Sequence, residues 1–342
     1  MVKHFHLKIA FLVLLYISNS SQALSQGGKP GVRLMFYNVE NFFDIYNDSL
    51  TDDDAFLPEG VMRWNYKRYT NKLSSLYKTI VAAGEWEPPS IIGFCEIENR
   101  KILEDLIYGT YLSKFKYSII HEESPDRRGI DVCLIYRKDI VQLICYKYWI
   151  PGKDILPFFD SRSVLYTKFL IGTDTLNLIV NHWPSRRGGV LAGESTRFLI
   201  AAMIRGKVDS ILKKNINEEK VVIVGDFNCT PRDEVIKSLV YNSDSVKTLI
   251  NLSDSLEKTG LGTYRYMGTW EMIDQVLVNC NMLQGKNGIH TSQNLVTIFK
   301  PDFLLYKDPK YPGYSPYSTY HGFKYQGGYS DHLPILLDLK MR

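Results

Sequence analysis

The chain has 342 residues, of which 45% are hydrophobic and 23% are charged. This composition excludes a collagen-like, low-complexity or wholly disordered protein, because enough apolar surface is present to bury a core. The formal net charge of +4 is too small to indicate nucleic-acid binding by itself.

The first 25 residues are predicted to be an export signal. Lys3 and Lys8 form a basic segment before an apolar run, Ile9 to Ile17, that is too short to span a bilayer comfortably. Ala23 and Ser25 supply small residues at a cleavage site, and the alternative is an uncleaved membrane anchor. We expect an exported protein, periplasmic or secreted, with one domain at residues 26–342 and no membrane span after cleavage.

From residue 32 onward, short apolar runs alternate with segments of helical periodicity, which is typical of an α/β protein. Helices are predicted over residues 66–83 and 195–213, and Thr230-Pro231-Arg232-Asp233 is typical of a helix start. Several strand candidates are continuous Val/Ile/Leu runs, so we expect them to be buried on both faces. The predicted strands are Val32–Tyr37, Ile91–Cys95, Ile130–Tyr136, Val164–Ile171, Leu176–Asn181, Val221–Gly225, Ile273–Val278 and Pro334–Leu339.

The five cysteines include no C-x-x-C pair, so we expect neither a structural zinc site nor a disulfide framework. Cys95, Cys133 and Cys145 lie in strand-like runs and are predicted to be buried. Residues 301–329 are rich in Tyr, Pro and Gly and predict a long loop with little regular structure. Its tyrosines either stack on bases or pack the loop against the body, and we favour packing for most of them.

Polar residues follow four of the predicted strands, at the point where each strand ends. The clusters are Asn38-Val39-Glu40-Asn41, Glu96-Ile97-Glu98-Asn99, Asn181-His182-Trp183-Pro184 and Asp226-Phe227-Asn228. Side chains at strand ends meet at one rim of a sheet, where α/β proteins bind ligands. One such cluster has a plain explanation as a loop cap, but four together predict a functional site.

Two further segments suggest how such a site is built. In an extended segment Asp226 and Asn228 point the same way, and Gly225 lets the backbone pass close to whatever they bind. Ser330-Asp331-His332 leads into the last predicted strand, where adjacent side chains face opposite ways. Asp331 can therefore take a metal while His332 addresses another part of a substrate. A buried, hydrogen-bonded histidine is the alternative for His332.

The order of these motifs resembles the endonuclease/exonuclease/phosphatase superfamily, which has the DNase I-like fold, over nearly all of residues 32–342. The resemblance implies an α/β (α+β) four-layer sandwich, in which two mostly antiparallel or mixed sheets are flanked by helices. It also implies hydrolysis of phosphodiester or phosphomonoester bonds with Mg²⁺, or Mn²⁺ or Ca²⁺. The segment before His332 is similar to that of a secreted bacterial branch. The matching motifs are Tyr37-Asn38-Val39-Glu40-Asn41, Cys95-Glu96-Ile97-Glu98-Asn99, Asn181-His182-Trp183-Pro184-Ser185, Gly225-Asp226-Phe227-Asn228, Ile273-Asp274 and Ser330-Asp331-His332-Leu333-Pro334.

The resemblance implies a metal site at Glu96, with Asn38 and Asp331 as supporting ligands. Carboxylate and amide oxygens suit a hard dication. The family usually has Gln before the glutamate, whereas this chain has Cys95 there. Glu98 lies two residues further along an extended segment and is the rival ligand. Glu40 is a further weak candidate.

The resemblance also implies the catalytic residues. Asp226 and Asn228 are expected to orient the attacking water and the scissile phosphate. Asp274 is expected to hold His332, and His182 corresponds to a second histidine of the family. Either histidine can stabilise the oxyanion or protonate the leaving oxygen, and a structural role is the alternative for His182. The general base remains open between the aspartate and the histidine–aspartate pair.

Basic residues near these loops have two explanations. Arg127, Arg128, Arg186 and Arg187 either clamp phosphate oxygens or belong to ordinary solvated loops. Asp131 has either a role in a turn or a role in substrate binding.

We therefore expect an exported, metal-dependent phosphoesterase, most simply a nuclease-type phosphodiesterase that acts on DNA or RNA and needs no stable protein partner. The alternatives are a phospholipid (sphingomyelinase-like) or inositol-phosphate phosphoesterase, and a binding protein that has lost catalysis. A nuclease predicts a basic groove, whereas a lipid enzyme predicts an exposed apolar loop or hairpin.

Overall fold

The computed structural model describes residues 31–85, 87–151, 160–186, 193–241, 248–285 and 288–341. The predicted signal peptide and Arg187 lie outside these residues. The helices are α1 (Tyr66–Gly84), α2 (Arg100–Tyr108), α3 (Glu194–Leu212), α4 (Glu234–Val240), α5 (Asp254–Lys258) and α6 (Cys280–Gln284). The strands are β1 (Val32–Phe42), β2 (Ile91–Ile97), β3 (Tyr117–Ile120), β4 (Asp131–Arg137), β5 (Gln142–Trp149), β6 (Val164–Ile171), β7 (Asp174–His182), β8 (Val221–Asp226), β9 (Leu249–Asn251), β10 (Tyr264–Tyr266), β11 (Thr269–Glu271), β12 (Asp274–Asn279), β13 (Ile289–His290), β14 (Val296–Ile298), β15 (Leu305–Lys307), β16 (Tyr314–Pro316), β17 (Tyr320–His321), β18 (Lys324–Tyr325) and β19 (Ile335–Met341). All eight predicted strands are present to within a few residues.

Most of the strands form two large sheets. The first has the order β13-β19-β1-β2-β4-β3, with β14 also paired to β19, and the second has the order β5-β6-β7-β8-β12-β9. Both sheets are mixed, because β1 runs parallel to β2 and β7 runs parallel to β8 while the other pairs are antiparallel.

Side-chain alternation along the strands explains the layers. Leu34 and Phe36 face the core between the two sheets, whereas Met35 and Tyr37 face outward and pack beneath α1 and α2. The second sheet alternates in the same way and places Ile223 beneath α3 and α4. The result is the four-layer helix–sheet–sheet–helix sandwich that the resemblance implied. Among the described residues, no helix combines the length and the apolar character needed to cross a bilayer.

The prediction of a helix start with Thr230 as the N-cap was wrong by three residues, because the N-cap is Asp233. The Asp233 carboxylate accepts a hydrogen bond from the Thr230 backbone N–H at 2.7 Å, and the Asp233 N–H donates to the Thr230 carbonyl at 3.1 Å. These bonds close a turn, so α4 begins only at Glu234.

Two other expectations need correction. The Tyr-rich segment contains two short hairpins, β15–β16 and β17–β18, rather than one irregular loop. Cys145 is exposed because β5 is an edge strand, whereas Cys95 and Cys133 are buried as predicted. All five cysteines are free thiols.

Candidate active site

The predicted catalytic residues meet at one end of the two sheets. Glu96 and His182 lie near the carboxyl ends of β2 and β7, and Asp226 ends β8. The register places Asp226 beside both His182 on β7 and Asp274, the first residue of the antiparallel β12. His332 lies just before the last strand, from which Leu333 and Pro334 separate it. Strands β2, β7 and β8 thus contribute residues at their carboxyl ends to one cleft of about 580 Å³. The antiparallel β12 begins at the same place, so its first residue lies beside them.

Left-handed backbone conformations shape the strand ends. Glu96 has a φ of 64° and Asn228 a φ of 48°, although neither is a glycine. Such conformations cost free energy and concentrate at functional sites. They also break the alternation of side chains, so residues 226–228 do not form the extended segment that the sequence predicted. Gly225 is required for a different reason than expected, because a Cβ there would lie 2.2 Å from the carbonyl oxygen of Asn181 rather than near a ligand.

His332 and Asp274 form a buried pair. The Nδ1 atom of His332 lies 2.7 Å from Oδ2 of Asp274, and the two residues are 6% and 1% exposed. Burial alone would lower the pKa of His332, but the charges of Asp274 and Asp331 and the hydrogen bond to Asp274 raise it well above its usual value. The imidazolium form is therefore favoured at neutral pH. The plain alternative of a buried, hydrogen-bonded histidine is also satisfied, but the ring lines the cleft.

Asp226 lies at the centre of the polar residues. Its Oδ2 accepts a hydrogen bond from Nδ2 of Asn38 at 3.0 Å and lies 3.9 Å from Nε2 of His332, and its Oδ1 accepts one from the Asn228 N–H at 2.8 Å. Burial raises the pKa of Asp226 to about 7; His332 opposes this shift and Asp274 adds to it. A carboxylate with such a pKa is suited to exchange a proton near neutral pH. The side-chain amide of Asn228 donates to the Trp183 carbonyl at 3.0 Å.

Glu96 and Asp331 line the cleft with Asp226 and offer carboxylate oxygens to a divalent cation. Asn38 is only 1% exposed, and its Oδ1 accepts a hydrogen bond from the Glu40 N–H at 3.0 Å. The two oxygens of Glu96 accept hydrogen bonds from Nδ2 of Asn38 at 3.3 Å and from the Asn41 N–H at 2.7 Å. Among the described residues, neither Glu96 nor Asp331 has a Lys or Arg nitrogen within 4.0 Å; their ion-pair contacts are to His182 and His332. Carboxylate oxygens that share a cleft are the donors that a hard cation prefers.

His182 also faces the cleft. Its Nε2 lies 3.5 Å from Oδ2 of Asp226 and 3.8 Å from Oε1 of Glu96. Burial lowers the pKa of His182 well below its usual value, and the cations Arg162, Arg128 and His332 lower it further. A neutral imidazole is therefore favoured. A neutral ring is suited to positioning a phosphate rather than to the proton donation considered above.

The predicted arginines divide into separate environments. Arg128 and Arg186 line the cleft, where Arg186 donates to the Asn228 carbonyl at 2.7 Å. Arg127 instead pairs with Asp52 at 2.7 Å on the surface. Arg162 also lines the cleft, and sequence reasoning missed it.

Arg162 is buried and anchored on both sides. Its guanidinium donates to Asp126 at 3.0 Å and to the Trp183 carbonyl at 2.6 Å, and its Nε has no partner among the described residues. Neither Arg162 nor Asp126 lies in a periodic segment or a recognised motif. The only available signal was a charged residue just before a predicted strand.

The rival acidic residues lie outside the cleft. Glu98 is buried and accepts hydrogen bonds from the Asp44 N–H at 2.6 Å and from Asn99; burial raises its pKa to about 8. Glu40 accepts hydrogen bonds from the backbone N–H groups of residues 319 and 320. Asp131 accepts one from the Ser124 N–H and lies 3.1 Å from His121, contacts that favour the role in a turn.

Comparisons with known proteins agree with the fold. A sequence profile of the Endonuclease/Exonuclease/phosphatase family matches residues 33–341. A search of curated proteins gave no match. Among solved structures, a mannosyl-6-phosphatase of Bacteroides thetaiotaomicron is similar with a TM-score of 0.57 and 14% identity, over 90% of this chain and 99% of that one. The human nocturnin catalytic domain with bound sulfate has a TM-score of 0.56 and 15% identity, over 92% and 94%. D. rerio TDP2 complexed with a single-strand DNA product has a TM-score of 0.54 and 11% identity, over 90% and 98%. Likeness at these identities indicates a shared fold.

Proposed function

Because the chain belongs to the Endonuclease/Exonuclease/phosphatase family, we propose that it hydrolyses phosphodiester bonds with the help of a divalent cation. The observation that carries the proposal is the buried His332–Asp274 pair, whose imidazole faces Asp226 at 3.9 Å. Glu96 completes this set on the neighbouring sheet. A binding protein without catalysis has no need for two buried acids and a charged histidine in one cleft.

A divalent cation, Mg²⁺ or else Mn²⁺ or Ca²⁺, is proposed to be held by Glu96, Asn38 and Asp331. When bound, it would neutralise charge on a phosphate oxygen as that charge grows in the transition state. The hydrogen bonds from Asn38 and from the Asn41 N–H orient the Glu96 carboxylate before any cation arrives.

Asp226 is proposed to accept a proton from the attacking water. Hydrogen bonds from Asn38 and from the Asn228 N–H fix the orientation of its carboxylate. Its pKa of about 7 leaves a substantial ionised fraction at neutral pH and still favours uptake of a proton. Both conditions are required of a general base.

Cationic groups around the phosphate complete the mechanism. The imidazolium of His332 can hydrogen-bond to a phosphate oxygen or give its proton to the leaving oxygen, while Asp274 keeps the ring charged and oriented. A neutral His182 can donate one hydrogen bond from Nε2. Arg128 and Arg186 present guanidinium groups that suit phosphate oxygens.

Nucleic acid is the substrate class that we favour. Arg128, Arg162 and Arg186 line the cleft and can contact the phosphates of a nucleic acid. The same cleft also holds the acids Glu96, Asp226, Glu271 and Asp331, so it is not the uniformly basic groove expected of a nuclease. Among the structural neighbours, one is a TDP2 complexed with a single-strand DNA product and another is a mannosyl-6-phosphatase. The fold therefore occurs both in a protein that binds single-strand DNA and in a sugar phosphatase.

A phospholipid substrate is the second candidate. The observation in its favour is the tip of the β10–β11 hairpin, where Met267 is 63% exposed beside the cleft. An exposed apolar hairpin is the feature expected of a lipid enzyme.

The experiment is a substrate screen with the chain lacking residues 1–25, with and without Mg²⁺. Plasmid DNA, RNA, sphingomyelin vesicles and inositol phosphates are compared, and Asp226→Asn is the inactive control. The proposal expects cleavage of DNA or RNA that requires Mg²⁺ and is lost in the variant. Hydrolysis of only lipid or inositol phosphates would replace the nuclease assignment, and no hydrolysis of any phosphoester would refute the proposal.

Export is a separate proposal. We propose that residues 1–25 are removed when the protein leaves the cytoplasm. Sequencing the N-terminus of protein recovered from the periplasm or medium tests this, and a protein retained intact in the cytoplasm would contradict it.

A further inference from the structure

A second groove continues from the catalytic cleft. This hairpin groove, of about 410 Å³, shares Asn41, Tyr264 and Asp331 with the cleft and extends between the β10–β11 and β15–β16 hairpins. The ring of Tyr264 packs against His332 with centroids 5.0 Å apart. A phosphate ester bound beside His332 therefore has this groove as the neighbouring space for one of its ester groups.

The groove is preformed because Arg265 fastens its two hairpins together. Its guanidinium donates to the Gly268 carbonyl at 3.1 Å, to Oγ of Ser315 at 3.2 Å and to the Pro312 carbonyl at 2.5 Å. It also lies 3.6 Å from Asp308, and its side chain is only 5% exposed. Binding a ligand here needs little reordering, which favours affinity.

The tip of β10–β11 carries a residue that the turn itself does not favour. Tyr266 pairs with Thr269, so Met267 and Gly268 form a two-residue turn in which both have positive φ, 47° and 82°. Asn or Gly is strongly preferred at the first of these positions. The exposed Met267 lines the hairpin groove, and Tyr266, which is 53% exposed, lines the cleft. An apolar side chain held in a strained turn at the lip of a groove indicates a role in binding.

We propose that the hairpin groove binds the nucleoside on one side of the scissile phosphate, with its base against Tyr311 and beneath Met267. The half-buried Tyr306 and Tyr311 offer aromatic surface, and base–aromatic stacking tolerates any base. Lys310, His321 and Asp308 add groups that can hydrogen-bond to a sugar or base. A fatty acyl chain would instead need continuous aliphatic walls. This inference rests on the proposed phosphodiesterase activity.

The test compares two alkyl phosphodiesters that share one reacting group: a thymidine dinucleotide and its analogue without bases. The unmodified protein should cleave the thymidine dinucleotide with a kcat/KM about tenfold or more above that of the analogue without bases. Tyr311→Leu and Met267→Asn should each raise the KM for the thymidine dinucleotide by about tenfold with little change in kcat, because stacking acts equally in the ground state and the transition state. Neither variant should change cleavage of the analogue without bases. Asn suits the turn, so Met267→Asn should not lower the melting temperature.

Tyr314→Leu is the matched control, because Tyr314 is a 58% exposed tyrosine of the same segment that does not line the groove. Equal kcat/KM values with and without bases would overturn the inference, as would losses in Tyr314→Leu equal to those in Tyr311→Leu. Preferential cleavage of sphingomyelin vesicles that Met267→Asn abolishes would also overturn it, since the tip would then contact lipid. Calorimetric binding of the thymidine dinucleotide separates the two proposals. Binding that Tyr311→Leu weakens, without any hydrolysis, would support the groove and refute the phosphodiesterase.

Discussion

Replacing Asp274 by Asn should slow hydrolysis about a hundredfold and move the pH optimum to lower values. The Asp274–His332 hydrogen bond is 2.7 Å long and buried. Hydrogen bonds to charged groups contribute about 1.5–3 kcal/mol, and about 1.36 kcal/mol corresponds to a tenfold change in rate. A hundredfold loss, about 2.7 kcal/mol, falls within that range.

The direction of the pH shift follows from two pKa values. Asp274 holds the pKa of His332 well above its usual value against the effect of burial, so removing the charge lets that pKa fall. Asp274 also helps burial raise the pKa of Asp226 to about 7, so the pKa of Asp226 falls as well. The alkaline limb depends on protonated His332 and the acid limb on ionised Asp226, and both should move to lower pH.

The assay is kcat/KM for a thymidine dinucleotide, whose alkoxide leaving group needs a proton, between pH 5 and pH 9 with saturating Mg²⁺. His332→Ala should cost about as much as Asp274→Asn, and the double variant little more, because residues that act as one unit are not additive. Asp338→Asn is the control, since Asp338 forms an ion pair with Arg33 that does not line the cleft. Losses that multiply to about ten-thousandfold, or an unchanged pH profile in Asp274→Asn, would refute the pairing.

Two further predictions concern His182 and Lys72. His182→Ala should slow alkyl and aryl diesters by the same factor, about tenfold, because the neutral ring positions phosphate; a loss confined to alkyl diesters would assign it the role of proton donor. Lys72 is 2% exposed and donates to Oγ1 of Thr319 at 2.5 Å and to the Tyr329 carbonyl at 2.6 Å. Lys72→Met should therefore lower the free energy of unfolding by about 3 kcal/mol in urea titrations, because buried partners are left unpaired. Lys67→Met on the exposed face of α1 should change it by less than about 0.5 kcal/mol, and equal effects would contradict this role.

The apolar pattern predicted an α/β protein with buried strands, whereas the four layers were implied by the resemblance to the family. Continuous runs such as Val221–Gly225 bury both faces of a central strand, and polar clusters follow where such runs end. Parallel pairing of β1 with β2 and of β7 with β8 then brings Asn38, Glu96, His182 and Asp226 to the same rim.

The details of the site and the start of α4 depend on local backbone conformations and side-chain hydrogen bonds, which the apolar pattern of the sequence does not encode. A φ of 64° at Glu96 breaks the alternation that made Glu98 a rival ligand. The Asp233 side chain closes a turn and delays α4. Arg162 reaches the cleft through bonds to Asp126 and Trp183, which are distant from it in sequence.

The central claim is that Glu96 helps hold a catalytic cation. The most direct measurement is the rate of diester hydrolysis against Mg²⁺ concentration, for the unmodified protein, Glu96→Gln and Glu98→Gln. Glu98 is the matched control, because it lies two residues away and bonds to the Asp44 N–H outside the cleft. The unmodified protein and Glu98→Gln should lose activity in EDTA and regain it with Mg²⁺, whereas Glu96→Gln should be slower and need more Mg²⁺. Undiminished activity in EDTA, or a Glu96→Gln variant with the Mg²⁺ dependence of the unmodified protein, would contradict the claim.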